Sequence, residues 1–91
     1  MTDILLPRYP EVTCPFGMIE FSVEPNCASE PHAHASAEIW YITRGQGRVL
    51  TLEGRISVKA GDVIYLRPNT VHHIENRGDE PITALSVYWK S

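Results

Sequence analysis

The sequence predicts an all-β fold built from short antiparallel strands. Its apolar residues alternate with polar ones or run in short blocks, and no useful length of chain shows a helical period. Glycine and proline residues bound these blocks. Short strands at regular spacing are typical of a β-sandwich or a β-barrel, and 91 residues are enough for one domain only.

Seven strands are predicted, each bounded by a turn signal. They cover residues 18–23, 37–43, 47–52, 55–58, 62–66, 71–75 and 82–89. Gly45 and Gly47 flank Gln46 in a predicted tight reversal, and Glu53-Gly54 is predicted to be a two-residue hairpin turn. The pattern contains no repeat or linker, so it indicates one continuous domain.

The N-terminal segment differs from the remainder of the chain. Residues 1–15 hold three prolines and one apolar cluster, Ile4-Leu5-Leu6, and therefore predict an extended arm or edge strand rather than a helix. The barrel domain is expected to cover residues 16–91. Because the arm and the apolar last strand offer more hydrophobic surface than one small barrel covers, we expect a homodimer.

Four polar side chains have the spacing of a metal site, namely His32, His34, Glu38 and His72. Side chains alternate along a strand, so residues 32, 34 and, in a regular strand, 38 project to the same side. Single histidines are more often core or surface residues, and the spacing of the whole set favours ligation. Imidazole and carboxylate ligands suit one divalent transition metal such as Fe, Mn, Ni or Zn, without selecting among them or excluding Co and Cu.

These residues resemble the two sequence motifs of the cupin superfamily, small β-barrels that usually bind a metal inside the barrel. The first motif is carried by His32, His34, Glu38 and Gly45, and the second by the segment GDVIYLRPNTVHHIEN, residues 61–76. The resemblance is to small single-domain cupins of the conserved-barrel type. It implies a double-stranded β-helix, or jelly roll, and places all four predicted ligands at the family's metal positions.

Three residues depart from the family's usual pattern. Asn26 and Asn69 stand at glycine positions, and asparagine is the non-glycine residue that best tolerates a positive φ, so both turns are expected to keep their shape. Arg67 stands at a proline position, five residues before His72. Its guanidinium is expected to hold a substrate carboxylate or phosphate, the alternative being a solvated surface arginine.

Further pocket residues follow from strand alternation. Trp40 shares the face of Glu38 and is predicted to wall the pocket, with core packing as the alternative reading. Tyr65 is the additional polar candidate, since a buried hydroxyl needs a partner. Neighbours on a strand face opposite ways, so His72 is expected to point at the metal and His73 at the surface.

The predicted site supports two functions of different classes. Four protein ligands leave positions on the ion for a small anionic or chelating oxygen-bearing molecule, as in a metal-dependent oxygenase, isomerase or lyase. Glu38 is the predicted catalytic residue, because it could leave the metal and act as a base. The alternative is a non-catalytic binding or sensor module with a metal in the barrel, and a third reading gives the four residues a structural role without metal.

Composition excludes other partners. A net charge of −3 with scattered arginines argues against nucleic-acid binding. No stretch has the length of a membrane span, and the N-terminus lacks the features of a secretory signal, so no membrane is expected and the location is expected to be cytoplasmic. Cys14 and Cys27 are accordingly expected to be free thiols, with Cys27 buried.

Overall fold

The computed structural model describes residues 2–3, 15–31, 33 and 35–90, which form strands joined by turns. The strands are β1 Thr2–Asp3, β2 Phe16–Val23, β3 Cys27–Ala28, β4 Ala37–Arg44, β5 Gln46–Thr51, β6 Gly54–Lys59, β7 Val63–Leu66, β8 His72–Asn76 and β9 Ile82–Trp89. The predicted all-β class is confirmed. In the part of the chain that the structure describes, no helix has the length and apolarity needed to cross a membrane.

The strands form two antiparallel sheets that enclose one core. One sheet has the order β1-β2-β9-β4-β7 and the other the order β3-β8-β5-β6, the arrangement of a double-stranded β-helix. Both sheets contribute fully buried side chains, Ile42 and Ile82 from the first and Val49 and Ile74 from the second. β6 and β7 follow each other in the chain and are edge strands of opposite sheets.

Strand alternation places the polar site residues inside the barrel. Along β4, Glu38 and Trp40 are buried while Tyr41 is exposed. Along β8, His72 is buried and His73 lies half-buried on the opposite face. Glu38, Trp40 and His72 thus lie on the inner faces of their strands, and His73 lies on the other face of β8.

Both asparagines at turn positions adopt the predicted backbone conformation. Asn26 has φ 61° and Asn69 has φ 60°, the left-handed region that asparagine tolerates best among non-glycine residues. Gly45, with φ 82°, connects β4 to β5. These two strands belong to different sheets, so the predicted reversal at Gly45 is a crossing between sheets and not a hairpin.

The hairpin between β5 and β6 is two residues long, but its position is one residue earlier than predicted. Thr51 pairs with Gly54, so the loop residues are Leu52 and Glu53. The Thr51 hydroxyl accepts a hydrogen bond from the Glu53 amide at 3.1 Å and donates one to the Gly54 carbonyl at 3.4 Å. These side-chain bonds fix the loop, and Gly54 supplies a φ of 135° as the first residue of β6.

Strand β3 was not predicted, because two residues carry no periodic signal. Cys27 in β3 is a free thiol, and it is exposed, so the expectation that it is buried is wrong. The reason is that β3 lies at the edge of its sheet. Residues 4–14 of the predicted arm, which include Cys14, lie outside the described residues. Thr2 and Asp3 form the edge strand beside β2.

Candidate metal centre

Glu38 and His72 meet inside the barrel from opposite sheets. Glu38 lies on β4 and His72 on β8, and the carboxylate Oε1 is 3.4 Å from the imidazole Nε2. The two side chains are 8% and 2% exposed, respectively. Two groups able to bind a cation therefore converge in a region that solvent barely reaches.

The orientation of His72 is fixed by the backbone. Its Nδ1 lies 2.9 Å from the carbonyl oxygen of Thr70. A carbonyl only accepts hydrogen bonds, so Nδ1 carries a proton, and Nε2 is the ring nitrogen that faces Glu38. The ring also packs edge-on against Trp40, with centroids 5.2 Å apart and planes at 85°. The ring of His72 is thus held with Nε2 directed at Glu38.

The orientation of Glu38 is fixed by two hydrogen bonds to its other oxygen. Oε2 accepts a hydrogen bond from Trp40 Nε1 at 2.7 Å and another from the hydroxyl of Ser86. Trp40 and Ser86 stand directly opposite each other on β4 and β9. The carboxylate is therefore anchored by one oxygen and presents Oε1 to His72.

These two groups fit a divalent transition metal. Imidazole nitrogen and carboxylate oxygen bind such ions at about 2.0–2.2 Å, which places neighbouring ligand atoms roughly 3.0–3.4 Å apart. The observed separation of 3.4 Å lies at the upper end of that range. A nitrogen lone pair facing a carboxylate oxygen is stabilised by a cation between them.

The other two predicted ligands, His32 and His34, lie outside the described residues. Among residues 2–3, 15–31, 33 and 35–90, no group of three or more His, Cys, Asp and Glu side chains is close enough to hold a metal. The segment before His32 is anchored to β8, because Ser29 donates its amide to the Ile74 carbonyl at 2.9 Å and accepts the Ile74 amide on its hydroxyl at 2.9 Å. The chain enters β4 at Ala37, next to Glu38.

A cavity of about 340 Å³ opens beside His72. Its lining comes from both sheets and from the turns between them, and consists of Val49, Thr51, Glu53, Gly54, Arg55, Ile56, Ile64, Tyr65, Leu66, Arg67, Thr70 and His72. Ile56 pairs with the buried Val49 and so lies on the inner face, yet it is 57% exposed. The barrel interior is therefore open to solvent at this point.

The sequence-predicted pocket residues have different positions around this cavity. Arg67 lines it and forms an ion pair with Glu53, both side chains being more than half exposed. Tyr65 also lines it, but its side chain is 58% exposed and alternates with the buried Ile64 and Leu66. Trp40 is 3% exposed and lies in the core, in contact with Glu38 rather than with the cavity.

Two residues that bear on the site were missed in the sequence. Ser86 is a polar residue at a buried position of β9, where the other two buried positions are the apolar Ile82 and Ala84, and that contrast is a signal that could have identified it. Glu53 was interpreted only as a turn residue, and its pairing with Arg67 joins positions 14 residues apart. Local sequence patterns carry no information on that contact.

Parts of this chain are similar to two curated proteins. The chain is 38% identical over 65 residues to glucose-6-phosphate isomerase of Thermococcus onnurineus, and the match covers 63% of this chain and 34% of that protein. It is 34% identical over 73 residues to oxalate decarboxylase OxdC of Bacillus subtilis, and this match covers 74% of this chain and 19% of that protein. The chain thus spans less than half the length of these curated relatives.

A solved structure and a family profile extend the comparison over nearly the whole chain. A Cupin 2 conserved barrel domain protein from Salinispora arenicola superposes with a TM-score of 0.82 at 32% identity, covering 94% of this chain and 72% of that one. The profile of the family Cupin_2, described as Cupin domain, matches residues 19–88. The two-sheet barrel, the motif residues and these matches agree, and the chain belongs to the Cupin_2 family of cupin domains.

Proposed function

We propose that this protein binds one divalent transition metal per chain, from among Fe, Mn, Ni and Zn, and is a metal-dependent enzyme acting on a small anionic molecule that carries neighbouring oxygen atoms. The observation that carries the proposal is the convergence of Glu38 Oε1 and His72 Nε2, 3.4 Å apart and buried, at the side of an open cavity. The reaction class is isomerase, lyase or oxygenase. The isomerase and decarboxylase names of two relatives agree with the first two of these.

His32 and His34 complete the proposed ligand set. Support comes from the described residues on either side of them. In the β3–β8 register Cys27 pairs with Asn76 and Ala28 with Glu75, so the chain after Ser29 runs toward the His72 end of β8. The following strand begins one residue before Glu38. The segment that carries the two histidines therefore begins and ends near the other two proposed ligands.

The proposed division of labour follows from the lining of the cavity. When bound, the metal supplies a Lewis acid that polarises substrate oxygens or bound water, or, as iron, reacts with dioxygen. His72 and Glu38 hold it at fixed positions. The apolar side chains Val49, Ile64 and Leu66 keep water from the inner side of the cavity, which strengthens electrostatic contacts within it.

The anionic part of the substrate is proposed to bind at the mouth, where Arg67 lies. In the free protein Arg67 pairs with Glu53, whose loop belongs to the opposite sheet. Exposed ion pairs contribute only roughly 0.2–1 kcal/mol, so a substrate carboxylate or phosphate can displace Glu53 at small cost. Glu53 then acts as an internal competitor for the anion, and its removal should tighten anion binding.

Two copies of the chain are proposed to associate through the outer face of the five-stranded sheet. Strand β9 is paired on both edges, so its free surface is this face. On β4 and β7, Tyr41 pairs with Val63 and Ile39 with Tyr65, and Tyr41, Val63 and Tyr65 are 42%, 60% and 58% exposed. A neighbouring pair of strands thus presents contiguous apolar surface, which is typical of a contact between subunits.

The proposed activity can be tested with tag-free protein loaded with each metal in turn. Oxalate, glucose 6-phosphate, hydroxy acids, diketones and thiols are incubated with it, and NMR in deuterated water detects both new products and exchange of carbon-bound hydrogen. An oxygen electrode records dioxygen uptake on the same samples. Metal-free protein and the His72→Asn variant serve as controls.

The outcomes separate the candidate functions. Turnover that depends on metal and on His72 supports the enzyme. Metal and ligand binding without turnover or hydrogen exchange contradicts it and supports the binding or sensor module. If no metal binds at all, the hypothesis that the four residues have a structural role without metal is correct.

A further inference from the structure

The geometry points to Trp40 and Ser86 as positioning residues that make Glu38 a metal ligand through one oxygen only. This inference rests on the proposed metal site and concerns how this chain controls it. Both side chains are nearly inaccessible, Trp40 at 3% and Ser86 at 4% exposure. Their hydrogen bonds end on the same atom, Glu38 Oε2.

The hydrogen bonds use up the acceptor capacity of that atom. Each oxygen of an ionised carboxylate has about two lone-pair positions for donors. The Trp40 indole N–H occupies one, at 2.7 Å, and the Ser86 hydroxyl occupies the other. A cation approaching Glu38 therefore meets Oε2 already held by two donors, and it would be bound through Oε1.

The arrangement is built into the sheet rather than into a loop. Trp40 follows Glu38 by two residues on β4 and so shares its face, and Ser86 is the direct partner of Trp40 on β9. Both strands lie within their sheet and are paired on both sides. The two donors are thus held at fixed positions on either side of the carboxylate oxygen, which keeps it from rotating.

This assignment changes the roles expected of two residues. Trp40 supplies a hydrogen bond to the site in addition to its packing against Phe21 and His72. With Oε2 held by two donors, Glu38 would serve as a fixed ligand of a bound metal and not as a base. Loss of either donor frees Oε2 to swing toward the ion.

Two variants remove the donors one at a time. Ser86→Ala deletes the hydroxyl and nothing else, and Trp40→Phe deletes the indole N–H while keeping an aromatic ring against Phe21 and His72. Ser57→Ala, at an exposed position on β6, and Trp89→Phe, at the second of the two tryptophans, are the matched controls. Ser86→Thr keeps a hydroxyl and tests for rescue.

The readouts are Co²⁺ affinity and the visible spectrum of the Co²⁺ protein, which reports the number and arrangement of ligands. We expect Ser86→Ala and Trp40→Phe each to weaken Co²⁺ binding about 10- to 100-fold, the usual effect of losing a hydrogen bond to a metal ligand. Both variants should change the spectrum in the same sense, since both release the same oxygen. Ser57→Ala, Trp89→Phe and Ser86→Thr should match the wild-type protein.

The inference would be overturned if Ser86→Ala had the same Co²⁺ affinity and spectrum as the wild-type protein. If Trp40→Phe does not fold, the result for Ser86→Ala decides alone. Weakened binding with an unchanged spectrum would overturn it too, because a loss of general stability does not alter ligand geometry. Failure of the proposed metal site is distinguishable, since wild-type protein would then bind no Co²⁺, and failure of the proposed enzyme activity alone would leave these Co²⁺ measurements unchanged. Thermal unfolding of the metal-free variants provides the folding control.

Discussion

Replacing His72 by asparagine separates its role as a metal ligand from its role in packing. The asparagine amide nitrogen can take the place of Nδ1 and still donate to the Thr70 carbonyl, a contact of 2.9 Å in the native protein, but the variant has no atom equivalent to Nε2. His72→Gln is the matched control, because its longer side chain returns a polar atom to the region of Nε2. Metal binding should therefore be lost in His72→Asn and partly retained in His72→Gln.

The expected magnitude follows from linkage between binding and folding. Metal present at 100 times its Kd stabilises a folded protein by about 2.7 kcal/mol. For a domain of this size, 1 kcal/mol changes Tm by about 4–8 °C, so metal should raise the Tm of the native protein by roughly 10–20 °C. In His72→Asn the same metal concentration should raise Tm by less than about a third of that amount.

Thermal unfolding followed by circular dichroism, with metal and then with a chelator, measures both values. The Tm of each metal-free protein is the baseline, so any effect of lost packing against Trp40 is subtracted from the metal-induced change in Tm. An equal metal-induced rise in Tm for wild type and His72→Asn would refute His72 as a ligand. A fall in the metal-free Tm alone would show that His72 only fills the core.

Three further outcomes are expected. Arg67→Ala should weaken oxalate binding about 10- to 100-fold, equivalent to roughly 1.5–3 kcal/mol for a charge-assisted hydrogen bond, and Glu53→Gln should tighten it. Calorimetry at two salt concentrations measures both affinities, and unchanged affinities would show that Arg67 is a solvated surface residue. Light scattering at micromolar concentration should give the mass of a dimer, and Val63→Glu should give a monomer; a monomeric mass for the wild type would contradict the proposed interface. Gly47→Ala should destabilise the fold by about 1–3 kcal/mol, because a Cβ there overlaps the Glu75 carbonyl and the Ile82 side chain. The control Gly78→Ala, where the atom nearest to the added Cβ is 3.5 Å away, should be nearly neutral. Chemical denaturation measures both, and equal effects would show that the packing around Gly47 is not rigid.

Much of the fold could be predicted because its signals are local. Alternation of apolar and polar residues predicted the larger strands. The resemblance to cupins placed Asn26 and Asn69 at glycine positions, and the tolerance of asparagine for positive φ predicted that both turns keep their shape. The hairpin at Thr51 was displaced by one residue because side-chain hydrogen bonds select the loop, and periodicity does not report them. Strand β3 is too short to have a period.

The site was predictable to the extent that each residue carries its own chemistry. The inward direction of Glu38 and His72 followed from strand alternation, and the structure brings them within 3.4 Å. The contacts of Ser86 and Glu53 were not predictable, since they depend on which strands become neighbours: 48 residues separate Glu38 from Ser86 along the chain. A local sequence pattern does not report which distant residues become neighbours in the fold.

The metal content of tag-free protein tests the proposed site most directly. After reconstitution with Mn²⁺, Fe²⁺, Co²⁺, Ni²⁺ and Zn²⁺ in separate samples and removal of loosely bound ions, elemental analysis gives the ratio of metal to chain. A site formed by Glu38 and His72 together with His32 and His34 predicts close to one ion per chain for at least one metal, and a large loss in His72→Asn. Protein that retains no ion after reconstitution, or equal content in wild type and His72→Asn, would contradict it.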